Sequence, residues 1–332
     1  MNPLIDVTAI GNAIVDVIAP AQPGFIAAEG LTPGSMTLID EVQASALYGR
    51  MAPGLEASGG SAANTVAGLA SLGAAAAFIG KVADDELGAI FAHDIRAIGA
   101  RFETPALGGG PATARCLVNV TPDAQRTMCT YLGACVRLTP DDVDPALIEG
   151  ASIVYLEGYL FDPEGGRAAF AKAAALARAS GRRIALTLSD GFVVERHRQA
   201  LLGFIESQVD VVFANAEEAA ALFPGLSPAE GRARLGSLVE IAAITDGPAG
   251  SHVMTAGQAI DVPAEPVAQV VDTTGAGDQY AAGFLFGLAR GRPLAECGRL
   301  GSLAAAEVIS HYGPRPERSL ADAARQKGLL AA

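Results

Sequence analysis

A chain of 332 residues, half of them hydrophobic, is long enough to bury a large core, and its length alone fits one big α/β domain or two smaller ones. A formal charge of −13 argues against a nucleic-acid backbone as partner, since that calls for a basic face. It also means that an anionic substrate must be held by backbone amides, a metal ion or a few local cations. Cys116, Cys129, Cys135 and Cys297 show no CxxC pair or zinc spacing, which predicts free thiols in a reducing compartment.

The start, Met1-Asn2-Pro3-Leu4-Ile5-Asp6, has no basic region ahead of an apolar stretch, so no signal peptide is expected and a cytoplasmic location is predicted. Residues 5–10 and 13–18 read as strands. Pro and Gly between residues 20 and 40 suit an excursion of short strands, followed by a helix over 41–48. Gly59 and Gly60 then precede Ser61, read as the N-cap of a small-residue helix through 72. No charged residue occurs over 57–80, but Asn64, Thr65 and the Ala/Gly/Ser richness predict a buried helix and strand rather than a membrane span. Residues 85–98 form a helix ended by Gly99. Strands over 113–121 and 125–131, joined by the turn Thr121-Pro122-Asp123-Ala124, pair with the earlier short strands. The segments from about 13–40 and 101–131 thereby make a small sheet apart from the main core, a lid or a dimer surface.

Beyond Thr139-Pro140-Asp141-Asp142, a cap with Pro at the first helical position, strands and helices alternate. Strands fall over 152–156, 183–188, 209–213 and 241–245; helices fall over 163–179 and 193–204, and one opens at the capping box of Ser227 and Glu230. Such alternation predicts βαβ units and a parallel sheet covered on both faces, with ligands collecting beyond the carboxyl ends of its strands. A hairpin centred on Gly257, a helix over 279–290 closed by Gly291, another over 293–310 and a last one near 320–329 complete the chain.

Chemistry concentrates in a few stretches. In Asp272-Thr273-Thr274-Gly275-Ala276-Gly277-Asp278, two glycines precede a helix whose unpaired amides favour negative charge. That makes an anion cradle, with Asp278 in the first turn as a base beside it; the plain alternative is a glycine loop capped by an ordinary aspartate. Asp16, after Gly11-Asn12-Ala13-Ile14-Val15, can take two hydroxyl protons from a polyol, or can be a surface turn aspartate. Gly59 and Gly60 offer bare backbone, and Asn64 lies one turn into the helix they open. Asn215 and Glu218 share a helix face and suit a hydrated magnesium ion, although an N-cap with acidic followers has the same letters. Thr245-Asp246-Gly247-Pro248-Ala249-Gly250 can hold nucleotide phosphates or adenine, or be a simple turn. The available cations are Arg115 and Arg126 in the small sheet, able to close over a phosphate, and Lys81. His93, His197, His252 and His311 have no metal spacing, and no GxSxG, HExxH or Walker lysine occurs.

With these stretches together, the chain resembles the ribokinase-like (PfkB) carbohydrate kinase family over nearly its full length. The segment from Asp272 to Asp278 resembles the family's C-terminal signature, that from Gly59 to Asn64 its N-terminal one, and Asn215 with Glu218 its NxxE magnesium motif. The resemblance implies one α/β domain over 1–332, a three-layer sandwich with a mostly parallel central sheet and a β-sheet lid, transferring phosphate from ATP with Mg2+ to an alcohol. The adenosine kinase branch is the nearest in detail, through Gly11-Asn12-Ala13-Ile14-Val15-Asp16 and Leu188-Ser189-Asp190-Gly191-Phe192. Carried over, Asp16 and Asn64 hold ribose hydroxyls with Asn12 beside them, Ile14 and the Tyr159-Leu160 pair enclose the base, and Arg126 reaches the phosphate. Gly59 and Gly60 touch the substrate; Asn215, Thr245, Gly247 and Gly250 serve the nucleotide. Gly275, Ala276 and Gly277 form the anion hole, Glu218 serves the metal, and Asp272 with Thr274 borders a K+ ion. Met36 and Gln279-Tyr280 depart from the adenosine kinase pattern.

The expected reaction is in-line phosphoryl transfer in which Asp278, with an ordinary pKa of about 4, orients the primary hydroxyl and accepts its proton late. Inosine, guanosine, ribose and fructose are the rival acceptors, and a non-catalytic nucleotide-binding protein is the rival of another class. The expected partners are small molecules, not nucleic acid or membrane, for a monomer or homodimer.

Overall fold

In the computed structural model, residues 4–123 and 125–331 are described. Met1, Asn2 and Pro3 of the predicted leaderless start, Ala124 of the predicted turn, and Ala332 lie outside them. β1 (Ile5–Ile10) enters a large sheet, and β2 (Ile14–Pro20) leaves it at once for a smaller one. α1 (Pro23–Ala28), β3 (Met36–Leu38), α2 (Glu41–Tyr48) and β4 (Leu55–Gly59) follow. α1 corrects the expectation of strands alone between 20 and 40: Pro23 stands at its first position, where a missing amide costs nothing. The charge-free stretch resolves into the end of β4, α3 (Ser61–Ser71) and β5 (Ala76–Ile79), a buried helix and strand as expected. No described helix is long and apolar enough to cross a membrane.

α4 (Glu86–Ala97) is capped by Asp85 and stops before Gly99, whose φ is +89°. The two-residue β6 (Arg101–Phe102) then joins the large sheet, and β7 (Ala114–Val120) with β8 (Arg126–Tyr131) the small one. The Thr139-Pro140 signal opens only a 3₁₀ turn; α5 (Pro145–Glu149) starts later, capped by Asp144. The regular half then runs β9 (Ala151–Glu157), α6 (Glu164–Ala179), β10 (Arg183–Thr187), α7 (Gly191–Gln208), β11 (Val211–Asn215), α8 (Ala216–Leu222), α9 (Pro228–Leu238) and β12 (Ile241–Thr245). The hairpin β13 (Ser251–Met254) and β14 (Ala259–Val262) precedes α10 (Ala276–Ala289), α11 (Leu294–Val308) and α12 (Leu320–Gln326).

The large sheet has the order β14-β13-β12-β11-β10-β9-β1-β5-β6, parallel from β12 to β6 and antiparallel where β13 joins β12 and within the β13–β14 hairpin. Side-chain alternation decides the layers. Val7, Ala9, Ile153, Tyr155, Val211 and Phe213 pack under α3, α10 and α11. Ile10, Val154, Leu156, Ile184, Leu186 and Val212 pack under α5 to α9 on the opposite face. α10 lies tight against α11, because Gly283 meets the Leu300 carbonyl and Gly287 the Cys297 side chain where a Cβ would collide. The small sheet, β3-β8-β7-β2-β4, has its own apolar cluster of Val17, Leu47, Leu117 and Cys129 on the face covered by α2. Its other face carries Asp16, Cys116 and Arg126. All four cysteines are free and buried.

Candidate active site

The carboxyl ends of β10, β11 and β12 bring Thr187, Asn215 and Thr245 to one cavity of about 80 Å³, opposite Ser61, Gly277 and Asp278. At about 10–15 Å³ per probe-sized water, it has room for some six waters, the scale of a phosphoryl group with part of a hydrated cation. Glu218 and Ser189 also line it. Ser189 is held at φ +69°, and its hydroxyl has no partner among the described residues, a strained residue with an open donor facing the cavity.

The anion turn forms as its letters require. Gly275 is the N-cap of α10 at φ +78°, and a Cβ there would lie 2.7 Å from Pro314. Ala276 donates to the Thr273 carbonyl, whereas the amides of Gly277 and Asp278 find no acceptor among the described residues. Two unpaired donors at a helix start, both on residues of the cavity wall, are the arrangement an anion cradle requires. Asp278 is fixed from α3: Ser61 Oγ donates to its Oδ1 at 2.6 Å and Asn64 Nδ2 to its Oδ2 at 3.1 Å. Ser61 is therefore not the N-cap, a position taken by Gly60 at φ +99°; its hydroxyl serves the carboxylate instead. Burial pushes the Asp278 pKa above the ordinary range, and the two donors oppose it without cancelling it, so Asp278 is a stronger base than the ordinary aspartate expected.

Asp16 is no surface turn residue. It sits in mid-strand on β2, between Ala57 of β4 and Cys116 of β7, and Gly59 leaves it room: a Cβ there would come within 2.3 Å of its Oδ2. Burial pushes its pKa up to about 6, against the lowering charges of Arg315 and Arg126. Ile14 shares its face of β2. Asn12 is turned inward, giving its amide N and Nδ2 to Glu157, which also takes the Ala62 amide at 2.8 Å. Burial raises Glu157 to about 7, so a carboxylate with no exposed surface ties the end of β1 to the start of α3.

Asn215 and Glu218 form a capping box at the start of α8, with Asn215 N and Nδ2 donating to the two Glu218 oxygens at 3.0 and 2.9 Å. The stability reading of this pair is thus realised, and both residues also face the cavity. Burial raises Glu218 to about 7, with Asp190 and Asp278 adding to the rise. A buried carboxylate in a cavity of carboxylates fits a Mg2+ ion that takes one protein ligand and otherwise water and phosphate oxygens. Among the described residues no group of three or more metal-binding side chains exists.

Arg126 and Arg115 part company. Arg126 Nη2 reaches from β8 to 2.6 Å from Asp272 Oδ2, out of line for a hydrogen bond, with its guanidinium over the Tyr312 ring. Arg115 is on the other face of the small sheet, bonded to Ser45 and stacked on Tyr48, so it does not close over this site. Lys81 is likewise committed, to Asp142 at 2.6 Å. Asp272 also accepts from Thr274 N and Oγ1 and from Gly313 N. These three donors take three of its roughly four lone-pair sites, and Arg126 adds an ionic contact rather than a fourth hydrogen bond. Gly247 and Gly250, at φ +50° and +96°, shape the turn beyond Thr245, outside the cavity lining. Leu160 is wholly buried in the core under α5 to α9, and Tyr159 packs partly buried against it. Met36 is paired with Met128 on the Arg126 face of the small sheet and is half exposed.

Comparison with known proteins agrees with this arrangement: the model of the pfkB family carbohydrate kinases matches residues 51–319. The chain belongs to that family. It has the ribokinase-like α/β fold, and membership implies phosphoryl transfer from ATP to a hydroxyl of a carbohydrate or nucleoside. The crystal structure of adenosine kinase from Sinorhizobium meliloti is 51% identical with a TM-score of 0.91, over 97% of this chain and 99% of that one. A "probable sugar kinase protein" from Rhizobium etli CFN 42 is 46% identical with a TM-score of 0.92, over 99% of this chain and 100% of that one. A cytidine kinase from Thermococcus kodakarensis is 38% identical over 42% of this chain, and that match spans 51% of its length. Against this family frame, the residues that sequence reading missed are Glu157 and Arg315. Arg315, in the loop between α11 and α12, donates from Nε to Asn64 Oδ1 at 3.3 Å and from Nη1 to Ser58 Oγ at 2.8 Å. The unusual Gln279 was their nearest signal: its Nε2 bonds the Asn64 and Pro314 carbonyls, both at 2.9 Å, and so holds that loop on α3.

Proposed function

We propose that the chain is an ATP-dependent kinase that phosphorylates the 5′-hydroxyl of a ribonucleoside, adenosine first, with the whole chain acting as one catalytic unit. The observation that carries this reading is the carboxylate of Asp278, clamped by Ser61 and Asn64, beside unpaired amides and across a phosphate-sized cavity from Asn215 and Glu218. Asp278 orients the acceptor hydroxyl and takes its proton as the acceptor O–P bond forms and the bond from the γ-phosphorus to the bridging oxygen breaks, releasing ADP. The amides of Gly277 and Asp278 receive the charge that builds on the phosphoryl oxygens. Glu218 is the residue that would hold Mg2+, which when bound offsets phosphate charge. Thr245 and Asn215 border the nucleotide, and Asp16 takes the protons of the acceptor's diol. Arg126 guards the phosphate from the small sheet.

The likeness to the Sinorhizobium adenosine kinase supports the nucleoside acceptor, and the comparable likeness to the Rhizobium protein keeps a sugar as the second reading. The test is ADP release from ATP with adenosine, inosine, guanosine, cytidine, ribose and fructose. Turnover of adenosine well above the rest is the expected result; turnover of free sugars alone overturns the nucleoside reading.

A further inference from the structure

Arg315, like Arg126, is a charged group at this site with capacity to spare. Its Nε and Nη1 are used on Asn64 and Ser58, but Nη2 is shut away from solvent with no acceptor among the described residues. An unmade bond on a buried guanidinium is costly and asks for a partner. Asp16 lies close by, since Ser58, the acceptor of Nη1, is followed by Gly59, whose Cβ position meets the Asp16 carboxylate; yet the N and O atoms of Arg315 and Asp16 remain more than 4.0 Å apart, so no ion pair closes the gap. A carboxylate can only accept and a guanidinium can only donate. What fits between them is a group that does both, giving a proton to one side and a lone pair to the other, which is a hydroxyl.

We propose that Arg315 is a specificity-determining residue: its Nη2 donates to the acceptor's diol oxygens whose protons go to Asp16, so that a vicinal diol is read from both sides. The inference deepens the kinase reading and rests on it. Asn64 is oriented by the same residue. With its Oδ1 taken by Arg315, its Nδ2 is left to point at Asp278, so diol recognition and placement of the base share one guanidinium. The loop is built for the task, since Gln279 fixes Pro314, and Gly313 N bonds Asp272.

The experiment compares kcat/KM for adenosine, 2′-deoxyadenosine and 3′-deoxyadenosine in the wild-type enzyme and in Arg315→Gln and Arg315→Lys, with KM for ATP followed throughout. The wild type should prefer the full diol by at least about tenfold, because a deoxy acceptor leaves a buried charge unmatched. In Arg315→Gln that preference should fall to near parity, chiefly through KM for adenosine with KM for ATP unchanged, and Arg315→Lys should restore part of it. An equal loss on all three acceptors would mean that Arg315 only packs or positions, and would overturn the proposal. Should the Gln variant not fold, Lys against wild type gives the same ratio. If adenosine is not turned over but ribose is, the nucleoside reading fails separately, and the ratio is read with ribose and 2-deoxyribose.

Discussion

Replacing Asp278 by Asn tests the centre of the mechanism. The side chain keeps its shape and one acceptor oxygen, so Ser61 or Asn64 retains a partner, but the charge and the capacity to take a proton are lost. Loss of a positioned base lowers turnover by about 10²–10⁴, or about 2.7–5.4 kcal/mol at 1.36 kcal/mol per decade. KM for both substrates should stay within about threefold, because the cavity walls are untouched. Burial disfavours the ionised form of this residue, so its removal should leave the melting temperature level or higher at pH 8. The assay is ADP release at saturating adenosine, paired with thermal unfolding of the same samples. Turnover within tenfold of wild type would refute the base assignment; a collapse in melting temperature would refute the account of a strained buried charge.

Glu218→Gln keeps a side chain able to complete the capping box, so thermal stability should hold while the Mg2+ concentration for half-maximal activity rises at least about tenfold; an unchanged Mg2+ titration would remove Glu218 from the metal. Burial raises Asp16 to about 6 and Glu157 and Glu218 to about 7, so these groups stabilise the free protein fully below pH 4. That contribution is lost as pH rises through about 6 to 7, and urea midpoints taken with and without MgATP should show the bound protein gaining most at pH 8. Because Asp16 and Glu218 must be ionised to act, kcat/KM should fall below about pH 6–7, and a flat profile down to pH 5 would contradict their roles. Gly275→Ala meets both a left-handed backbone and Pro314 at 2.7 Å, and should cost on the order of 1–3 kcal/mol in chemical denaturation.

The order of elements was legible because strand and helix periods are local, and so was the turn at Gly275, which takes a left-handed φ against Pro314. What escaped reading depended on distant partners. Ser61 looks like a cap in sequence, since a serine before a helix is the commonest cap; only α10 lying beside α3 gives its hydroxyl to Asp278. Arg115 and Arg126 were equal candidates until strand register separated them: Arg126 pairs with Val120, five residues from Arg115, and an odd spacing puts the two arginines on opposite faces. Arg315 stands in a polar tail with no periodic pattern, about 250 residues from the asparagine it orients, and nothing in its neighbours predicts the fold-back. Glu157 falls one residue past the strand predicted over 152–156, and its value comes from three donors on two other segments.

The close seating of α10 on α11 has a practical consequence. With Leu300 and Cys297 filling the space that side chains at Gly283 and Gly287 would need, α10 cannot slide without driving backbone into backbone, so the carboxylate at its tip is a fixed datum. In the proposed reading the acceptor side is assembled from separately supported pieces: Ile14 and Met36 on strands of the small sheet, Arg315 on a loop. Remodelling for a new alcohol can therefore proceed piece by piece on those strands and that loop, while the transfer chemistry stays where α10 holds it.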